Sequence, residues 1–213
     1  GYMSTTYMAK ANFIDVDTPY NRLLIYEDIH QETQKPMRVL DIATTANSAM
    51  FLESEDLVFE YTKFYDLASL FNPAFEKTLI LGGGAYSYPK YFLKKYPEAT
   101  IDVVEIDEQL TELAKKHFNL KEDPRMTIYH QDGRIFLNKN EQKYDVIFGD
   151  AYNSYYSIPY QLTTVEAAQK IYDSLNEDGL ILLNVISSLE GDTGKFLRAE
   201  YRTFKEVFPQ IYI

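Results

Sequence analysis

Two hydrophobic rhythms divide the chain near residue 56. Before it, short apolar or alternating runs at 11–16, 22–29, 37–42 and 48–52 are separated by polar turns such as Gln31 to Pro36, which predicts a β-meander. Beyond it, Leu57, Val58, Tyr61, Phe64, Tyr65, Ala68, Leu70 and Phe71 recur at helical spacing until Asn72-Pro73 stops them. Apolar runs then alternate with helical patterns. Strands are expected at 78–82, 100–105, 126–130, 144–149, 179–186 and 209–213, with helices at 87–96, 108–118, 133–138, 163–175 and 194–206 between them. Pro97, Pro124 and Gly179 fall in the predicted connections. This alternation implies a doubly wound, mostly parallel α/β sheet with right-handed crossovers, preceded by a small antiparallel β annex. The expected division is 1–56 for the annex and 57–213 for the sheet domain.

Composition narrows the range of functions. The 213 residues hold one α/β domain and a smaller annex. No apolar stretch approaches the ~20 residues that span a bilayer, and the first residues do not resemble a signal peptide, so a soluble, cytoplasmic protein without a membrane partner is expected. The chain has no cysteine, which removes disulfides, thiolate metal sites and thiol nucleophiles. With 32 acids against 21 bases the net charge is −11, which disfavours a nucleic-acid partner. No histidine and carboxylate spacing suggests a metal. The expected closing strand at 209–213 leaves an open sheet edge, from which a homodimer is expected.

Candidate chemistry gathers at the strand ends, where doubly wound sheets bind ligands. The run Thr78 to Leu81 ends in Gly82-Gly83-Gly84 and enters a helix, a turn that lets a ligand lie against the main chain. No lysine with serine or threonine follows, so this is not a P-loop. Glu105 lies 21 residues after Gly84, beside Ile106, at the spacing where a carboxylate meets a ribose diol. The third strand ends in Asp132-Gly133, where the carboxylate can accept from an adenine amine and the glycine admits a flat ring; Asp132 is equally suited to cap the next helix. The fourth strand ends in Asp150, facing whatever the nucleoside carries. Tyr86, Tyr88, Tyr152, Tyr155, Tyr156 and Tyr160 are placed to flank that site, where ring faces could hold a cation. Of these, Tyr86 and Tyr152, with Asn153, are the candidate substrate contacts. The alternative is that these tyrosines pack a loop or a dimer face.

In order and spacing, Leu81-Gly82-Gly83-Gly84, Val104-Glu105-Ile106-Asp107, Asp123-Pro124-Arg125, Gln131-Asp132-Gly133-Arg134 and Tyr144 to Asp150 resemble the spermidine synthase family, from about Tyr20 to the end. The resemblance implies a β annex joined to a methyltransferase-type Rossmann domain that binds S-adenosyl nucleosides. It implies Gly82, Gly83 and Gly84 along the nucleoside, Glu105 and its neighbour Ile106 at the ribose, Asp132 and Gly133 at adenine, and Asp150 as the acid that receives the attacking amine. Three positions depart from the polyamine-making pattern. Ala85 stands where an aspartate would bind the amine of decarboxylated S-adenosylmethionine, Asn153 replaces the second acid after Asp150, and the helix signature reads Tyr61-Thr62-Lys63.

A site for a dicationic diamine should not lose carboxylates and gain a lysine. The sequence therefore points to a transferase that uses an S-adenosylmethionine-type nucleoside, with methyl transfer to an unknown acceptor ahead of aminopropyl transfer from decarboxylated S-adenosylmethionine to an amine. The rival readings are a non-catalytic dimeric nucleoside-binding protein and a nicotinamide dehydrogenase using Gly82-x-Gly84-x-x-Ser87.

Overall fold

The computed structural model describes residues 13–43, 45–151 and 158–213. The annex is a four-stranded antiparallel meander of β1 (Ile14–Asp17), β2 (Arg22–Ile29), β3 (Pro36–Ile42) and β4 (Thr45–Phe51), paired in chain order. Alternation sets which face each strand buries. Leu23 and Ile25 of β2 are buried, while the residues that follow them towards the strand end point increasingly outward. A register shift between Leu40 and Asp41 bends β3 against β4.

The linking segment is helical but broken. α1 (Glu60–Lys63) passes through a 3-10 turn at Phe64–Leu67 into α2 (Ala68–Phe71). Leu57, Val58, Tyr65 and Ala68 are buried as the helical spacing predicts, whereas Phe64, Leu70 and Phe71 are exposed. The tighter 3-10 turn rotates the later positions off the buried stripe.

The second sheet is wholly parallel, in the order β7-β6-β5-β8-β9. Its strands are β5 (Lys77–Leu81), β6 (Thr100–Val104), β7 (Met126–Tyr129), β8 (Tyr144–Gly149) and β9 (Leu175–Leu183). The crossovers carry α3 (Ser87–Lys95), α4 (Glu108–His117), α5 (Gly133–Lys139) and α6 (Val165–Asp173), and α7 (Lys195–Lys205) follows β9. β5 is central and covered on both faces, so Thr78 to Leu81 are all buried and Leu79-Ile80-Leu81 is apolar without alternation. Ile80 joins one core with Phe148, Phe92 and the annex residues Leu23 and Leu40, while Leu79 and Leu81 join another with Phe136, Ile171 and Phe204.

Two expectations are corrected. Residues 209–213 form no strand; Tyr212 instead stacks on Phe71 with ring centroids 6.0 Å apart, because β propensity without a paired neighbour does not make a strand. Gly179 lies inside β9, not in a connection, and marks the irregular stretch where the register jumps from Tyr144↔Leu175 to Val146↔Leu180. Among the described residues no helix is long and apolar enough to cross a membrane.

Candidate functional site

The order of the parallel strands reverses at β5, with β6 on one side and β8 on the other. The tips of those three strands therefore frame a crevice, and the sequence places its glycines and acids there. Gly82 has φ +100° and Gly84 φ +52°, both in the region that favours glycine. Both also lie hard against the protein itself: a Cβ on Gly82 would come within 2.5 Å of the Asp150 carbonyl oxygen, and one on Gly84 within 2.5 Å of Ser48 Oγ. The triple glycine thus brings β5, the β8 tip and the annex strand β4 into one wall.

Glu105 is 8% exposed and its carboxylate organises the turn. Oε2 accepts from the amides of Gly83 (2.9 Å) and Gly84 (3.2 Å), and Oε1 from the amide of Asp107 (2.9 Å). Burial pushes its pKa up, and these backbone hydrogen bonds pull partly the other way. A carboxylate has about four lone-pair sites, so roughly one remains for a ligand. Asp107, which the sequence reading quoted only as part of a motif, supplies another. Its Oδ1 caps α4 by accepting from the Gln109 amide at 3.1 Å, while Oδ2 is buried with no hydrogen-bond partner among the described residues.

Asp132 caps α5 as its residue type suggests, Oδ1 accepting from the amides of Arg134 (2.8 Å) and Ile135 (3.0 Å). Its other oxygen accepts from Gln161 Nε2 at 2.9 Å, so the capping role leaves half of the carboxylate turned to a second task. Gly133 is informative for what it does not touch. A Cβ there would meet Leu162 at 3.5 Å, an ordinary contact, and its φ lies outside the left-handed region, so the chain's own packing does not require glycine. Glu105, Ile106, Asp107, Asp132 and Gly133 line one chamber of about 250 Å³.

On the other side of the glycine turn lies a larger chamber of about 430 Å³, between β4, α1, α3 and the segment after β9. Gly82, Gly84, Asn47 and Asp150 face both chambers. Asp150 Oδ2 accepts from the Tyr61 hydroxyl at 3.2 Å and Oδ1 from Asn184 Nδ2 at 3.0 Å. Burial pushes its pKa up to about 6, with Asn184, Tyr65 and Tyr61 opposing the shift. Tyr61 and Asn184 were not foreseen as partners of Asp150. The sequence signal for Tyr61 was its place in the helix signature; Asn184 carried none.

The lysine of that signature is not in the site. Lys63 pairs with Glu60 on an exposed face of α1, and Thr62 is the neighbour that turns inward. The expected clash between Lys63 and a cationic substrate is therefore withdrawn. Ala85 is fully buried, and its amide donates to Ser48 Oγ at 3.1 Å. The expectation for Tyr86 is also corrected. With φ +58° its ring turns beneath Gly83, fully buried, and its hydroxyl bonds Thr111 Oγ1 at 2.7 Å, away from both chambers. Tyr88 borders the larger chamber but packs among Tyr65, Phe92 and Phe148, with its hydroxyl buried and, among the described residues, without a hydrogen-bond partner. Tyr160 is exposed. Tyr152, Asn153, Tyr155 and Tyr156 lie outside the described residues.

The family model described as "Spermine/spermidine synthase domain" matches residues 59–212. The chain is 29% identical over 197 residues to a polyamine aminopropyltransferase of Vibrio vulnificus, covering 88% of this chain and 64% of that protein. It is 33% identical over 166 residues to a polyamine aminopropyltransferase of Streptococcus pneumoniae, covering 75% of this chain and 57% of that protein. It thus spans less than two-thirds of the length of these relatives. A probable spermidine synthase of Corynebacterium glutamicum has the same fold, with a TM-score of 0.76 and 24% identity over 92% of this chain and 71% of that one. The family model spans well over half of the sequence, and the motif order agrees with it: the chain belongs to the spermine/spermidine synthase family.

Proposed function

We propose that this chain carries the catalytic cleft of a transferase that moves an aminopropyl group from decarboxylated S-adenosylmethionine to an amine. Aminopropyl transfer thereby replaces methyl transfer as the favoured reading. It is supported by the names of the relatives, by the withdrawal of Lys63 from the site, and by the charge of the larger chamber. That chamber has Asp150 and, among its described residues, no lysine or arginine. A donor tail ending in a carboxylate would meet repulsion there without a compensating cation, whereas a tail ending in an ammonium would not.

The position of Asp150 in the wall shared by both chambers carries the reading. The smaller chamber fits the nucleoside: Glu105 and the partnerless oxygen of Asp107 would take ribose hydroxyls, Ile106 would flank the sugar, and Asp132 would take the adenine amine above Gly133. Gly82, Gly83 and Gly84 would follow the chain from ribose to sulfur. In the transfer, the amine nitrogen attacks the carbon beside the sulfonium as the carbon–sulfur bond breaks and its electron pair passes to sulfur. The leaving thioether is neutral and needs no acid, so the protein contributes mainly orientation. Asp150 accepts the proton the amine sheds, and Tyr61 and Asn184 hold its carboxylate in line.

Parallel calorimetric titrations with decarboxylated and ordinary S-adenosylmethionine test this. The decarboxylated form should bind at least tenfold tighter, and an amine acceptor should gain the mass of one aminopropyl group. Preference for the carboxylated donor, with a gain of one methyl, would restore methyl transfer.

A further inference from the structure

Part of the smaller chamber is walled by a turn and not by a strand end. The 3-10 turn Tyr160–Leu162, between β8 and α6, meets the start of α5. It is tied down on both sides. The Leu162 amide donates to the Pro159 carbonyl at 2.8 Å and the Thr163 amide to the Tyr160 carbonyl at 3.2 Å, while Arg134 Nη1 reaches the Gln161 carbonyl at 3.4 Å and Thr164 Oγ1 at 3.3 Å. Leu162 lies against Gly133, 3.5 Å from where a Cβ would stand, and Tyr160 is exposed. Gln161 is therefore the polar side chain that this turn brings to the chamber wall.

Gln161 Nε2 donates to Asp132 Oδ2 at 2.9 Å, and Asp132 Oδ1 is held by the cap of α5. A carboxylate accepts and does not donate, so this bond decides which end of the carboxamide faces Asp132: the nitrogen. The bond uses one of the two Nε2 hydrogens and leaves Oε1 as an acceptor beside it. Any group that bonds Asp132 Oδ2 from within the chamber then stands next to the carboxamide. A 6-amino purine brings two N–H donors to that place, one for Asp132 Oδ2 and one for Gln161 Oε1. A 6-oxo purine brings an oxygen, which meets two acceptors. Gln161 cannot reverse to help it without turning its own oxygen onto Asp132. We propose that Gln161, oriented by Asp132, sets the base specificity of this chamber and selects a 6-amino over a 6-oxo purine. The proposal rests on the nucleoside half of the function proposed above and adds a specificity-determining residue to it.

The test titrates the full chain with methylthioadenosine and with methylthioinosine, which differ at the 6-position of the base. The parent should bind methylthioadenosine at least about a hundredfold more tightly. Gln161→Met keeps the length of the side chain and removes its polar end. It should weaken methylthioadenosine about tenfold and leave methylthioinosine unchanged or tighter, so the ratio narrows by about tenfold or more. Gln161→Ala is read in the same way, and denaturation midpoints of both variants show whether the turn still holds. A residue that only braced the turn would weaken both nucleosides alike, and an unchanged ratio in the two variants would overturn the proposal. So would a parent that binds the two nucleosides equally. If methylthioadenosine does not bind the parent at all, the nucleoside reading falls first, so the two failures are distinguishable.

Discussion

The two chambers share a wall and are built in opposite ways. In the smaller one, three carboxylates each serve the fold before they could serve a ligand: Glu105 gathers the amides of the glycine turn, Asp107 caps α4, and Asp132 caps α5. All three stand at junctions where a parallel strand hands over to a helix; Asp107 and Asp132 are fixed by the local cap, and Glu105 by the pairing of β6 with β5. In the larger one, a single carboxylate is held by groups far away in the chain, Tyr61 from the linking helix and Asn184 from beyond β9. The difference teaches that the nucleoside side is a property of the sheet, while the acceptor side is assembled by packing the annex and the linker onto it.

The largest effect is expected where the chambers meet. Gly82→Ala places a methyl group within 2.5 Å of the Asp150 carbonyl oxygen at a φ of +100°. The backbone must move, at a cost of about 2 to 4 kcal/mol in denaturant-measured stability, and both ligands should lose affinity together. A variant that lost only one would show that the wall is not shared in the way described.

Asp150→Asn separates the chambers. The neutral amide cannot accept the amine proton, so turnover should fall by about a hundredfold to ten-thousandfold, while methylthioadenosine affinity stays within about twofold of the parent. An equal loss of nucleoside affinity in calorimetry would mean that Asp150 belongs to the nucleoside side.

The legibility of the site follows the same division. Lys77 to Leu81 as a doubly covered strand, the glycine turn and Asp132 could be read because each depends on neighbours within a few positions, and Glu105 because its spacing of 21 residues from Gly84 is that of two successive parallel strand ends. Of the two readings of Asp132 the structure shows the cap, through Oδ1, while Oδ2 accepts from Gln161. Tyr86 was misread because a residue after a glycine turn can point up or down, and its left-handed backbone sent the ring under Gly83. Lys63 was misread because position in a motif does not give the facing of a short helix that passes at once into a 3-10 turn. Asn184 carries no pattern at all; only the pairing of β8 with β9 brings it to Asp150.

Gly133→Ala sharpens the nucleoside side. The fold has room for the methyl group, and alanine is the better helix former, so stability should be unchanged or raised by up to about 1 kcal/mol. If a flat base lies over this residue, nucleoside affinity should fall tenfold or more, about 1.4 kcal/mol, in the same preparation. Unchanged affinity would move the base elsewhere.

Tyr61→Phe should give the smallest effect, and one defined by its pH dependence. The Tyr61 hydroxyl donates to the charged form of Asp150, so its removal raises a pKa that burial already holds at about 6. Transfer needs the carboxylate, so the acid limb of the rate profile should move to higher pH, with a clear loss near pH 6 and a loss of less than about threefold well above it. Stability must follow the same equilibrium. Because the folded pKa lies above the ordinary value of 3.8, charging Asp150 costs stability as pH rises through that interval, and the variant makes the charge costlier. The parent and Tyr61→Phe should therefore denature alike below about pH 4 and diverge by about 0.5 to 1.5 kcal/mol above pH 7. A constant offset across the whole range would reduce Tyr61 to a packing residue and leave Asn184 and Tyr65 as the groups that hold the acid.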